Sequence, residues 1–270
     1  MKKTIIAIGG GEIKTKQTIA IDAYVAQQVK QKVGDKRPVG LFLGTASHDS
    51  MPYFNSFRKT YTSVFNFKSD VALSVYGEMN YDHIKAKFET ADFLYVGGGD
   101  TKFLIEKWQQ NGLINLVREA YERGVIIVGL SAGAICWFKD LYSDYDIVNG
   151  VGGEYKLLKG LGWFDGLVCP HYDDRQADFD QNFAKSNFTK AFGLQNNSAL
   201  LLQDGVPVCS LNGGANVLCI EKREGKIVKT EFAPSILLPQ EVPASAVFKE
   251  EKPRRRNNQQ ASQTSQKEQN

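Results

Sequence analysis

The chain of 270 residues holds only three histidines and four cysteines, and both shortages narrow its chemistry. Cys136, Cys169, Cys209 and Cys219 are far apart with no CxxC pair, and His48, His83 and His171 are as scattered, so no metal site and no cofactor are expected. The cysteines sit in apolar contexts, which points to buried, reduced thiols and a cytoplasmic protein. Long apolar runs are missing too. Thr4–Ile8 is too short for a signal-peptide core and no later run approaches a membrane span, so neither a leader nor a membrane partner is expected. An excess of charge of one sign is also lacking. Formal net charge is +3, and Arg254, Arg255 and Arg256 lie together near the C-terminus, leaving a body close to neutral that gives nucleic acid no basic face.

What remains is a composition of 42% hydrophobic and 23% charged residues, ordinary for a globular chain able to bury a core. Short runs rich in Val, Ile, Leu and Phe predict strands at Thr4–Ile8, Pro38–Gly44, Ala72–Tyr76, Phe93–Val96 and Val125–Leu130. Helical periodicity falls between them, over Thr18–Lys32, Pro52–Val64, Tyr81–Glu89 and Lys102–Arg123, the last broken at Asn111-Gly112. Further strands at Ala199–Gln203, Pro207–Ser210, Asn216–Glu221 and Ile227–Phe232 are separated by turn signals. The expected fold is α/β: a mostly parallel central sheet with helices on both faces and antiparallel strands near the C-terminus. Residues 1–248 read as a single α/β domain. The segment 249–270 has no aromatic residue and no aliphatic one larger than alanine, and is expected to be a disordered polar tail.

One pentapeptide stands out. Gly129-Leu130-Ser131-Ala132-Gly133 follows the apolar strand and precedes Ala134-Ile135-Cys136-Trp137-Phe138, which can begin a helix. A nucleophile elbow needs this pattern, because small neighbours let strand and helix approach while the serine hydroxyl is turned outward. The Ala132 amide, at a helix start without an intrahelical acceptor, can face an oxyanion. A serine in such a place also serves as a plain helix cap, so the pentapeptide is not sufficient by itself.

Two more features complete the pattern. His171 ends an apolar strand, Leu167-Val168-Cys169, just after Pro170, which suits a general base at a sheet edge, whereas His48 and His83 read as surface or locally bonded. Phe93-Leu94-Tyr95-Val96-Gly97-Gly98-Gly99-Asp100-Thr101 is a strand running into three glycines, and its loop can lend a second oxyanion amide, assigned to Gly99. Neither GxGxxG nor a lysine-bearing phosphate loop is present.

With VGGGDT, GLSAGAICWF and GLGWFDGLVCPHYD in this order, the chain resembles the peptidase E family of serine peptidases, which includes aspartyl dipeptidases and cyanophycinases and shares its fold type with class I glutamine amidotransferases. The resemblance spans roughly residues 1 to 235. It implies Ser131 as nucleophile, His171 as base, Gly99 and Ala132 as oxyanion donors, and a carboxylate soon after the elbow. Asp144, in Ser143-Asp144-Tyr145-Asp146, is the assignment, with Asp146 a near competitor and Asp173 and Asp174 set aside as too close to His171. The implied partner is a small peptide substrate. An aspartyl preference would need a cation, for which Arg175 is available. Asn196-Asn197 stands where some relatives carry an acid, which keeps open a peptide-binding protein without turnover; an esterase using the same serine is the other alternative. An α/β-hydrolase places its histidine late, whereas His171 follows Ser131 by forty positions and is the last in the chain. An amidotransferase would need cysteine on the elbow.

Overall fold

Unbroken apolar runs set the strands Thr4–Ile8, Phe93–Val96 and Ile126–Leu130, because these are covered on both faces. The computed structural model describes residues 2–76 and 79–239; the expected boundary at 248 and the expected tail over 249–270 lie outside the described residues. The order is β1 (Thr4–Ile8), α1 (Ile19–Val33), β2 (Val39–Leu43), α2 (Met51–Arg58), β3 (Lys68–Ala72), α3 (Tyr81–Thr90), β4 (Phe93–Val96), α4 (Thr101–Asn111), α5 (Leu113–Glu122) and β5 (Ile126–Leu130). A π-helical turn, Lys59–Val64, extends α2. On one face Ile5, Ala7, Leu94 and Ile127 pack with Leu104 and Trp108 of α4 and Leu116 of α5. On the other, Ile6, Ile8, Tyr95 and Val128 pack with Ile21 and Val25 of α1 and Phe57 of α2. Each such fully buried large side chain stabilises the fold by about 1.5–3 kcal/mol relative to exposure.

The strand expected at Ala72–Tyr76 lies earlier, over Lys68–Ala72. β3 is an edge strand paired only with β2, so its outer positions tolerate Lys68 and Ser69. Leu73 and Tyr76 are instead exposed, and the amides of Ser74 and Val75 donate to the buried Asp49 carboxylate, each at 2.6 Å.

The second half contains α6 (Ala132–Ile135), β6 (Phe138–Ser143), α7 (Tyr145–Val148), β7 (Lys156–Lys159), β8 (Phe164–Cys169), α8 (Tyr172–Lys185), β9 (Lys190–Leu194), β10 (Ser198–Gln203), β11 (Val206–Asn212), β12 (Val217–Arg223), β13 (Lys226–Glu231) and β14 (Ser235–Leu237). Two sheets result. The larger runs β14-β11-β10-β1-β5-β4-β2-β3, with β1, β5, β4, β2 and β3 parallel and β10 antiparallel to β1. The smaller runs β13-β12-β9-β8-β6-β7, parallel at its centre and antiparallel at its edges. The mostly parallel, helix-covered central sheet is therefore as expected, and a second sheet stands beside it.

The helix after Ser131 is a single short turn, because β6 begins at Phe138. Its residues Asp140 and Ser143 are buried. The chain crosses from the large sheet to the small one through Ser131 and returns through Gln195–Asn197, and these two crossings meet at the end of β1.

Candidate active site

Ser131 adopts φ 52° and ψ −110°, a strained backbone for a side-chain-bearing residue, between strand β5 and the short turn α6. The flanking glycines make this possible by close approach: a Cβ on Gly129 would lie 1.9 Å from the Gly133 carbonyl oxygen, and one on Gly133 2.2 Å from that of Val96. The Ser131 amide donates to the Ile8 carbonyl at 2.9 Å, tying the elbow to β1.

His171 follows β8 and also has a positive φ, 48°. Its amide donates to the Gly9 carbonyl at 3.0 Å, which holds this loop of the small sheet against the end of β1. The ring Nε2 lies 2.8 Å from Ser131 Oγ, so the serine and histidine picked out in the sequence are brought together.

The third partner differs from the expectation. His171 Nδ1 lies 2.7 Å from Asn196 Oδ1. Asp144 instead accepts from Arg175 Nη2 at 2.6 Å, and Asp146 pairs with Lys156. Asp144 starts α7 beyond β6, and there the buried Arg175 guanidinium takes up its charge. The Asn196 amide is oriented by its own contacts: Nδ2 donates to Asp173 Oδ2 at 3.0 Å and to Asp174 Oδ2 at 2.8 Å, and its backbone N–H donates to Asp173 Oδ1 at 2.8 Å. With Nδ2 facing two carboxylates, Oδ1 faces the imidazole and can only accept. Nδ1 therefore carries the proton, leaving Nε2 free to accept from the serine hydroxyl. Asp173 and Asp174, set aside for direct contact, act one bond further out.

The glycines after β1 make room for this chain of contacts. A Cβ on Gly10 would lie 2.0 Å from Asn196 Oδ1 and 2.3 Å from His171 Nδ1. The Asn197 amide also donates to the Gly10 carbonyl, at 3.1 Å.

Burial is the main influence on His171 and pushes its pKa below the usual histidine value, with the Arg175 charge adding to the effect; the Asn196 hydrogen bond and the Asp144 and Asp174 carboxylates oppose it. The shift favours the neutral imidazole, the form that can accept a proton from Ser131 Oγ. Cys136, on the same turn as Ser131, is fully buried and its thiol is pushed up by desolvation, which disfavours the reactive thiolate.

Gly98 and Gly99 run past the elbow. A Cβ on Gly98 would sit 3.3 Å from Ser131 Cβ, and the Gly98 amide donates to the Tyr53 hydroxyl at 3.1 Å. The next amide, that of Gly99, has no partner among the described residues. Gly99 has φ 138° and packs its α-carbon against the Ala46 carbonyl. The other two histidines stay away: His48 packs at a tilt against Phe103 with centroids 4.2 Å apart, and His83 is exposed on α3.

Asn196 carried a weak signal in the sequence. A pair of asparagines between two apolar strands reads first as a turn, and Asn197 does take a left-handed φ of 57°.

A serine elbow on a doubly covered, mostly parallel sheet, facing a histidine, defines a hydrolase of the class I glutamine amidotransferase-like fold. The family model of Peptidase family S51 matches residues 5–207, and the chain belongs to that family as a peptidase E-like hydrolase. Among curated relatives, the "Uncharacterized peptidase YgaJ" of Bacillus subtilis (strain 168) is 34% identical over 202 residues, which cover 73% of this chain and 82% of that one. "Peptidase E" of Haemophilus influenzae is 24% identical over 165 residues, 60% of this chain and 73% of its own. Two solved structures share the fold. A peptidase from an acI-B1 Actinobacterium superposes with a TM-score of 0.60 at 16% identity, covering 86% of this chain and 98% of its own. A putative Peptidase E protein from Listeria monocytogenes EGD-e gives 0.54 at 16% identity, covering 77% and 98%. Among the described residues, no helix is long and apolar enough to cross a membrane.

Proposed function

We propose that the chain is a serine peptidase that cleaves small peptides, with Ser131 as nucleophile, His171 as general base and Asn196 as the residue that orients the imidazole. The observation that carries this reading is the 2.8 Å contact between His171 Nε2 and Ser131 Oγ, with Nδ1 held by an acceptor. Ser131 Oγ attacks the scissile carbonyl as its proton passes to Nε2. The oxyanion that forms is met by the amides of Ala132 and Gly99. Collapse expels the amine, which takes the proton back from His171, and water repeats the sequence to release the acid.

A neutral amide stabilises the imidazolium less than a carboxylate would. Here Asp173 and Asp174 polarise that amide from behind, so negative charge acts on the ring at one remove. Asn196 also supports the alternative of a peptide-binding protein without turnover, since among the described residues no carboxylate is hydrogen-bonded to the ring. The cytoplasm is the compartment that suits the four unpaired cysteines.

A fluorophosphonate probe tests the reading. Wild type is expected to be labelled on Ser131 and Ser131→Ala to stay unlabelled; equal labelling of the two would end the proposal. A labelled wild type that cleaves none of a library of small peptides would favour the binding or esterase alternative.

A further inference from the structure

A cavity of about 340 Å³ opens beside Ser131. This is near the lower end of the roughly 300–1,000 Å³ usual for ligand pockets and suits a single side chain. His171, which returns its proton to the leaving amine, is not among the residues that line it. The cavity instead joins the elbow (Leu130, Ser131) to the glycine loop (Gly98), the side from which the Gly99 amide is proposed to meet the oxyanion and on which the acyl half of a substrate would sit.

Its walls are apolar. Ile13 and Leu130 are 2% and 5% exposed and present aliphatic surface. Tyr53 adds a ring held edge-on to Phe42 with centroids 5.1 Å apart, and its hydroxyl oxygen already accepts the Gly98 amide. Burial raises the Tyr53 phenol, so it stays neutral. Two charged residues reach the lining, Glu12 and Lys14, both exposed, of opposite sign and two positions apart on one loop, so they give the cavity no net charge. Arg175, the cation an acidic side chain would need, does not line the cavity; it is bonded to Asp144 and lies over the Tyr155 ring at 5.1 Å. A carboxylate entering here would lose hydration without a dedicated cation in return.

Resting on the acyl-transfer reading above, we infer that this cavity is the acyl-side specificity pocket and takes an uncharged apolar side chain of leucine size, in preference to aspartate.

The full-length Ser131→Ala protein, which binds without turnover, is titrated calorimetrically with Leu-Gly and with Asp-Gly. Leu-Gly is expected to bind at least about tenfold more tightly, the scale on which apolar pockets discriminate. Adding Lys14→Ala is expected to change that ratio by less than about threefold, as suits an exposed rim charge. Asp-Gly affinity equal to or above that of Leu-Gly, or no measurable binding of either, overturns the inference. So does a ratio that inverts on loss of Lys14. Labelling of wild-type Ser131 by the fluorophosphonate is read separately, so a failed pocket and a failed nucleophile give different results.

Discussion

The two sheets contribute differently to the site. The larger holds β5 and the glycine loop after β4, and so supplies Ser131, its elbow and the amides of Gly99 and Ala132, the proposed nucleophile and oxyanion donors, at the ends of buried parallel strands. The smaller holds β8, whose end supplies His171, and the return crossing from β9 supplies Asn196. Neither sheet has a complete site. The hydroxyl and the imidazole meet because both loops are bonded to the end of β1, through Ile8 for Ser131 and Gly9 for His171. In the proposed mechanism the chemistry falls on this seam more than on either sheet.

The strongest way to break this comparison is to push the seam apart. Gly10→Ala places a methyl within 2.0 Å of Asn196 Oδ1 and 2.3 Å of His171 Nδ1. We expect the second-order labelling rate at Ser131 to fall by roughly 10³-fold, the scale of a misoriented base, with far-UV circular dichroism unchanged. An unimpaired rate would mean that the seam does not set the geometry.

A smaller effect probes the larger sheet alone. Tyr53→Phe keeps the ring against Phe42 but removes the acceptor of the Gly98 amide. About a fivefold loss of kcat is expected, with the melting temperature lowered by no more than about 4 °C, corresponding to one lost hydrogen bond of about 1 kcal/mol beside the Gly99 amide. A fall in KM alone would separate Tyr53 from the oxyanion loop.

The smallest effect is electrostatic and belongs to the smaller sheet. Catalysis needs neutral His171, so activity is present above its folded pKa and is lost as pH falls through it. Because burial and Arg175 lower that pKa, the acid limb of kcat/KM is expected below pH 6.5, the ordinary histidine value. The Asp144 carboxylate opposes the lowering. Asp144→Asn is therefore expected to move the acid limb to still lower pH, and an upward move would contradict the assigned charge balance.

The same division governs what could be read from the sequence. In the larger sheet, buried strands give unbroken apolar runs, and β1 and β4 have the bounds that the runs predict. Glycine marked the break between α4 and α5, where Gly112 has φ 73°. Ser131 and His171 were legible because each ends an apolar strand. In the smaller sheet, β6 interleaves Lys139 and Asp140 with apolar residues, and β7 is mostly exposed, so neither was predicted as a strand. Asn196 was singled out in the sequence only as standing where some relatives carry an acid, and the third position was given to Asp144. Which of several polar residues reaches the imidazole depends on how two crossings pack, and Arg175 capturing Asp144 is a long-range pairing that no local pattern encodes. The pocket walls on Ile13, in the loop after β1, and Tyr53, on α2, are likewise brought together only by packing over the same face of the sheet.

The central claim is that Asn196, and not Asp144, orients the base. The most direct measurement is the rate of Ser131 labelling by a fluorophosphonate in Asn196→Ala and in Asp144→Asn, at a pH where His171 is neutral in each. The account predicts a loss of about a hundredfold or more for Asn196→Ala and less than about tenfold for Asp144→Asn. The reverse order of losses would contradict it.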